Sequence, residues 1–129
     1  MARRRTFNLA VAAIATCTSL MIGAPAASAS AQGPAEQGQI IRDVFIRWGG
    51  LSSGEADKAV QIASCESGLN PQAVGAFGTA IGLFQILPGM WRDYGDSGDP
   101  YNSYDNSKAA VRIYLAYQRS WTRVWPGCA

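Results

Sequence analysis

The apolar positions of this chain change period several times. From about Phe7 to Ile22 they form a nearly continuous stretch containing Leu9, Val11, Ile14, Leu20 and Met21. Small polar residues occupy 32–37. Then Ile40, Ile41, Val44, Phe45 and Trp48 recur at helical spacing. That stripe, Trp48 included, is assigned to the core, and Gly49-Gly50 ends the helix. Ser52 and Glu55 stand at capping-box spacing and predict a second helix. Its inner face is small: Ala56, Ala59, Val60 and Ala63, with Ile62 alongside. It runs into Cys65-Glu66-Ser67-Gly68, where Gly68 is the natural stop and Asn70-Pro71 forbids further helix.

Downstream, Gly75 to Gly82 is glycine-rich and lacks amphipathic order, which predicts a loop or a small irregular hairpin. Leu83-Phe84-Gln85-Ile86-Leu87 is a short apolar run with one amide inside it. Pro88 suits the first turn of a short helix bearing Met90, Trp91 and Tyr94. A polar loop spans Gly95 to Tyr104, and Asp105 or Asn106 is expected to cap the last long helix. The stripe of that helix is Ala110, Val111, Tyr114, Leu115 and Gln118. The resulting fold class is mainly α, one compact helical domain with little or no sheet.

The N-terminus reads differently. Arg3, Arg4 and Arg5 precede the first apolar stretch, and Ala24-Pro25-Ala26-Ala27-Ser28-Ala29-Ser30-Ala31 follows it. Basic, apolar and small-residue regions in that order form a secretory signal. Residues 1–31 are therefore expected to be removed, with cleavage after Ala31 or Ala29. A short flexible lead over 32–37 and a working domain over 38–129 follow from this. Thr6, Asn8, Thr16, Thr18 and Ser19 interrupt the apolar stretch, which falls short of the ~20 apolar residues of a membrane anchor. Cys17 is expected to leave with the signal.

Removing the signal reverses the charge. The whole chain has 11 basic and 9 acidic side chains, 11 − 9 = +2, and three of the basic ones are Arg3, Arg4 and Arg5. The remainder carries 8 − 9 = −1. The apparent basicity belongs to the signal and gives no support to nucleic-acid binding. Cys65 and Cys128 survive, and an even count in an oxidising compartment favours a disulfide between them. With no histidine and two cysteines, a metal site is not expected.

Glu66 is the residue with the clearest chemistry. At the C-terminal end of a helix the dipole disfavours an anion, and partial burial disfavours it further. Both hold the proton on a carboxyl, as a general acid near neutral pH requires. Taken by position alone, an ordinary solvated glutamate at a frayed helix end is the commoner reading.

Glu66-Ser67-Gly68, Asn70-Pro71 and Gly82-Leu83-Phe84-Gln85-Ile86, followed by Pro88 and Trp91, resemble the soluble lytic transglycosylase and goose-type lysozyme superfamily. Cys65 before the glutamate, with Trp125-Pro126-Gly127-Cys128 at the end, is further similar to the resuscitation-promoting factors. The resemblance covers roughly residues 56 to 128. It implies a mainly α, lysozyme-like α+β fold with a glycan cleft and no cofactor. It implies a secreted, wall-associated monomer acting on peptidoglycan strands. Glu66 would protonate the oxygen between N-acetylmuramic acid and N-acetylglucosamine, and the 6-hydroxyl of the muramic acid would attack to leave a 1,6-anhydro end. Hydrolysis of the same bond usually enlists a second carboxylate, and no motif nominates Asp93, Asp96, Asp99 or Asp105. A lysozyme-type hydrolase and a non-catalytic wall-binding module are the alternatives.

The resemblance also implies roles for other residues. Gln85 would line the cleft, where sugar hydroxyls or acetamido groups can satisfy its amide; backbone bonding is the structural alternative. Ser67 would orient the acid. Asn106, with Ala109 and Ala110, matches the family's Asn-x-x-x-small stretch. Tyr114 falls near a cleft tyrosine, though one residue further from Asn106 than in the family, and core packing suits it as well. Tyr101 and Tyr104, on the polar loop, are the aromatic faces most suited to sugar stacking.

Overall fold

A computed structural model describes residues 32–129; the expected signal, including Cys17, lies outside the described residues. Helix α1 spans Pro34–Asp43 and passes directly into a π-helical turn over Val44–Trp48. Helix α2 is Ser53–Ser67, and a two-stranded antiparallel ribbon follows, β1 Val74–Gly75 and β2 Ala80–Ile81. Helix α3 is Pro88–Tyr94, α4 is Ser103–Ala116, and α5 is the single turn Trp121–Val124. The domain is mainly helical, as the periodicity predicts.

Local chemistry explains most boundaries. The Ser52 hydroxyl accepts from the Glu55 N–H at 3.2 Å, and the Glu55 carboxylate accepts from the Ser52 N–H at 2.9 Å, completing the capping box. Gly68, at φ 63°, stops α2 in the left-handed region. Pro88 occupies the first turn of α3. The glycine-rich segment is a tight hairpin in register Val74 with Ile81 and Gly75 with Ala80.

Three expectations are corrected. The segment 32–37 is not a flexible lead throughout: α1 begins at Pro34, and the Gln37 side chain is buried against the Ser103 hydroxyl. Polar composition suggested a lead, but proline at the first turn starts the helix early. Trp48 is not a core residue and remains 47% exposed. The π turn, closed by Gly49 N–H to Val44 C=O at 2.8 Å, is wider than an α turn. It rotates Trp48 off the face shared by Ile41, Val44 and Phe45, and the indole lies instead beside Arg112, 5.0 Å away, and Lys108. The cap of α4 is Asn102, whose side chain accepts from Tyr104 N–H and Asp105 N–H at 3.0 and 3.1 Å. The helix therefore starts earlier than Asp105 or Asn106, and both lie inside it.

The core lies where α1, the π turn, α2 and α4 meet. Phe45, Ile41, Ile62, Ile113 and Val111 are buried there with the loop residues Leu83 and Phe84. The alanines of α2, Ala56, Ala59 and Ala63, are completely buried and let its neighbours approach closely. Gly49 serves the same closeness: a Cβ there would stand 2.7 Å from the Phe45 carbonyl oxygen and 3.0 Å from Val111. An aromatic chain carries the core into the C-terminal tail. Phe45 stacks on Phe84 at 5.9 Å, Phe84 meets Trp125 at 5.5 Å, and Trp121 stacks on Tyr114 at 4.0 Å.

Cys65 and Cys128 are bonded across a separation of 63 residues, so the tail is tied to the end of α2. Chain-entropy reasoning assigns a loop of this length about 4 kcal/mol. Cys128→Ser is expected to lower unfolding stability by up to that amount, read as a reduced urea midpoint against the oxidised protein.

Candidate active site

Glu66 lies in the last turn of α2, one residue beyond the disulfide and two before the left-handed stop at Gly68. This places its carboxyl at the negative end of the helix. The side chain is half-buried at an open cleft of about 610 Å³. Among the described residues no hydrogen bond or ion pair reaches it. Burial pushes its pKa above the ordinary glutamate value.

The cleft has three walls. Gly75, Ala80, Gln85 and Ile86 come from the ribbon and the segment after it. Leu87, Met90, Ile113 and Tyr117 form the side made by α3 and α4, and Arg123, Val124, Trp125 and Pro126 form the tail side. The lining mixes apolar side chains with the polar groups of Glu66, Gln85, Tyr117 and Arg123.

Position here is set by the segment Gly82–Ile86. Ile81 and Ile86 exchange backbone hydrogen bonds of 3.1 and 3.0 Å, closing the segment into a tight loop. Gln85 sits in the left-handed region at φ 48°, and its amide donates to the carbonyls of Gly82 at 3.0 Å and Ala73 at 3.2 Å. The Ser67 hydroxyl lies 2.8 Å from the Leu83 carbonyl and 2.9 Å from that of Ala63, its one proton serving both. The Trp125 indole N–H donates to the Phe84 carbonyl at 2.8 Å. Asn106 completes the set. Its oxygen accepts from Phe84 N–H at 3.0 Å, and its amide donates to Ile81 and Pro100 carbonyls at 3.2 and 2.9 Å. Gly82, at φ 78°, leaves the room this needs, since a Cβ there would meet the Asn106 nitrogen at 2.4 Å.

Compared with known families, residues 43–125 match the model of the transglycosylase SLT domain, well over half of the chain. The chain belongs to that family. Neither the curated proteins nor the solved structures give a match. Membership in this family supports a peptidoglycan-lytic, transglycosylase-type function at the level of the class.

Within the SLT domain, two of the residues singled out from the sequence line the cleft, Glu66 and Gln85. Ser67 and Asn106 do not line it and instead bond the backbone of the segment that carries Gln85 and Ile86, at Leu83, Ile81 and Phe84. The aromatic candidates lie elsewhere. Tyr114 is buried, stacked on Trp121, with its hydroxyl donating to Glu55 at 3.1 Å. Tyr101 borders a separate hollow of about 530 Å³ between the start of α1 and Gly68–Gln72. Tyr104 projects from the first turn of α4, 48% exposed, and lines neither. The aromatics at the cleft are Tyr117, at the end of α4, and Trp125. The hydroxyl of Tyr117 approaches the Met90 sulfur at 3.8 Å. The tail disulfide was the available signal for Trp125, because a residue so close to Cys128 must lie near Glu66.

Two outcomes follow. Asn106→Ala leaves the buried Phe84 N–H without a partner and is expected to cost about 2–3 kcal/mol in denaturant unfolding. The second concerns Glu66 and pH. A carboxyl whose pKa is raised by folding contributes stability below its unfolded pKa and loses it as pH rises through the folded value. Glu66→Gln is therefore expected to match wild type in melting temperature near about pH 3.5 and to exceed it near about pH 7. Parallel melting curves at both pH values check this.

Proposed function

We propose that the protein is a secreted lytic transglycosylase that cleaves the β-1,4 bond between N-acetylmuramic acid and N-acetylglucosamine, with Glu66 as its single catalytic acid. The observation that carries this reading is that Glu66 is the only carboxyl lining the cleft among the described residues. Asp96 and Asp105 border a different hollow with Arg112, Asp93 pairs with Arg92 on α3, and Asp99 caps its own turn through Tyr101 N–H. A lysozyme-type hydrolase that activates water with a second carboxylate lacks that group here.

One carboxyl suffices for the lyase route. Protonated Glu66 gives its proton to the glycosidic oxygen as the bond to the muramic C1 breaks. The resulting carboxylate then takes the proton of the muramic 6-hydroxyl as that oxygen closes on C1. The net change is one C–O bond broken, one formed and one proton moved through Glu66, with no water consumed. The raised pKa favours the first step, because the general acid keeps its proton to higher pH. The signal-like sequence before Ala31 supports action outside the cell, where the substrate lies.

Digestion of purified peptidoglycan followed by mass spectrometry tests the reading. Wild type is expected to release 1,6-anhydromuramyl ends and Glu66→Gln to lose at least about 100-fold in rate. Reducing ends from wild type would make it a hydrolase. An equally active Glu66→Gln would remove Glu66 from the chemistry, and binding without any product would leave a wall-binding module.

A further inference from the structure

Residues 32–129 contain six arginines. Five of them stand within 4 Å of a carboxylate. Arg42 pairs with Asp57 at 2.8 Å and Arg119 with Glu55 at 3.4 Å, and Arg47, Arg92 and Arg112 have aspartate partners. Arg123 is the exception among the described residues. Its one polar partner is the neutral side-chain oxygen of Gln118, at 2.8 Å. It is also the one arginine that lines the Glu66 cleft.

These two facts belong together. The bond to Gln118 engages one end of the guanidinium and orients it without neutralising it, leaving further N–H donors for a ligand. The side chain is exposed, so it reaches a ligand without first breaking an ion pair. No ion pair joins it to Glu66, so occupation of Arg123 does not compete with the acid. Sugar hydroxyls and acetamido groups are neutral, and a full positive charge offers them little that an amide does not. A carboxylate matches both the charge and the planar fork. In peptidoglycan, carboxylates sit on the stem peptides attached to muramic acid, the sugar whose bond is cut.

Resting on the peptidoglycan reading above, we propose that Arg123 is a specificity residue that receives a stem-peptide carboxylate. The substrate class is then peptide-bearing, acidic glycan rather than the bare sugar chain. Glu66 acts on the glycan bond while Arg123, on the tail wall, holds the peptide branch.

The test compares purified peptidoglycan with the same material after its carboxylates are coupled to methylamine with a carbodiimide. Glycan and peptides persist, and only the charge is lost. For wild type, capping is expected to raise KM about tenfold with little change in kcat. For Arg123→Gln, capping is expected to change KM by less than about twofold, and Arg123→Lys should keep part of the preference because it retains charge without the fork. A wild type indifferent to capping, or an Arg123→Gln variant that responds to it as fully as wild type, overturns the assignment. If wild type releases no product from either material, the lytic reading itself fails and this inference falls with it.

Discussion

The carboxamide of Asn106 reaches backbone groups on segments that the chain visits separately: Ile81 at the end of the ribbon, Phe84 in the loop after it, and Pro100 before α4. Its side chain comes from the most buried helix of the domain, so the three bonds are referenced to the core. They fix a loop containing two left-handed residues, Gly82 and Gln85, relative to α4. Ser67 supplies the complementary tie, from the residue after Glu66 to the Leu83 carbonyl. The acid and the floor of its cleft are thus held to the same loop from opposite sides.

That arrangement separates support from contact. Ser67 and Asn106 spend their polar atoms on backbone, and so does the amide nitrogen of Gln85, even though Gln85 also borders the cleft. The surface left to a ligand alternates apolar side chains with one carboxyl, one guanidinium and the Tyr117 hydroxyl. Such a surface suits a sugar polymer with charged branches. Its faces are broad and weakly polar, and its charges are few and spaced.

How much of this the sequence reveals depends on the range of the interaction. Boundaries decided within a few residues are readable: the Ser52–Glu55 box, Gly68, Pro88 and the short hairpin all follow from local chemistry. The pairing of Cys65 with Cys128 is readable because, with Cys17 assigned to the signal, the two remaining cysteines leave one choice. Trp48 is not, since a π turn is a backbone event with no distinct residue pattern, and one wide turn is enough to move a side chain off its face. The cap of α4 is missed because Asn102, Asp105 and Asn106 offer the same chemistry at neighbouring positions. Tertiary bonding selects among them: Asn106 is drawn inward to three backbone groups, and Asp105 accepts from Asp99 N–H. Glu66 and Gln85 are found together because their motifs name them. Tyr117 and Arg123 carry no motif, and only the packing of α4 and the path of the tail bring them to the same cleft.

The disulfide has a mechanical meaning as well. One jaw of the cleft ends at Glu66 on α2, and the other is the tail from Arg123 to Pro126. The bond from Cys65 to Cys128 joins the roots of both, with their Cα atoms 5.7 Å apart. The jaws cannot swing open at that end without breaking a covalent bond. The aperture there is fixed by bond lengths, while the far side, edged by the hairpin and α3, is held by hydrogen bonds and packing. A polymer held in such a clamp is gripped against a rigid corner, and whatever adjustment admits or releases it must come from the opposite rim.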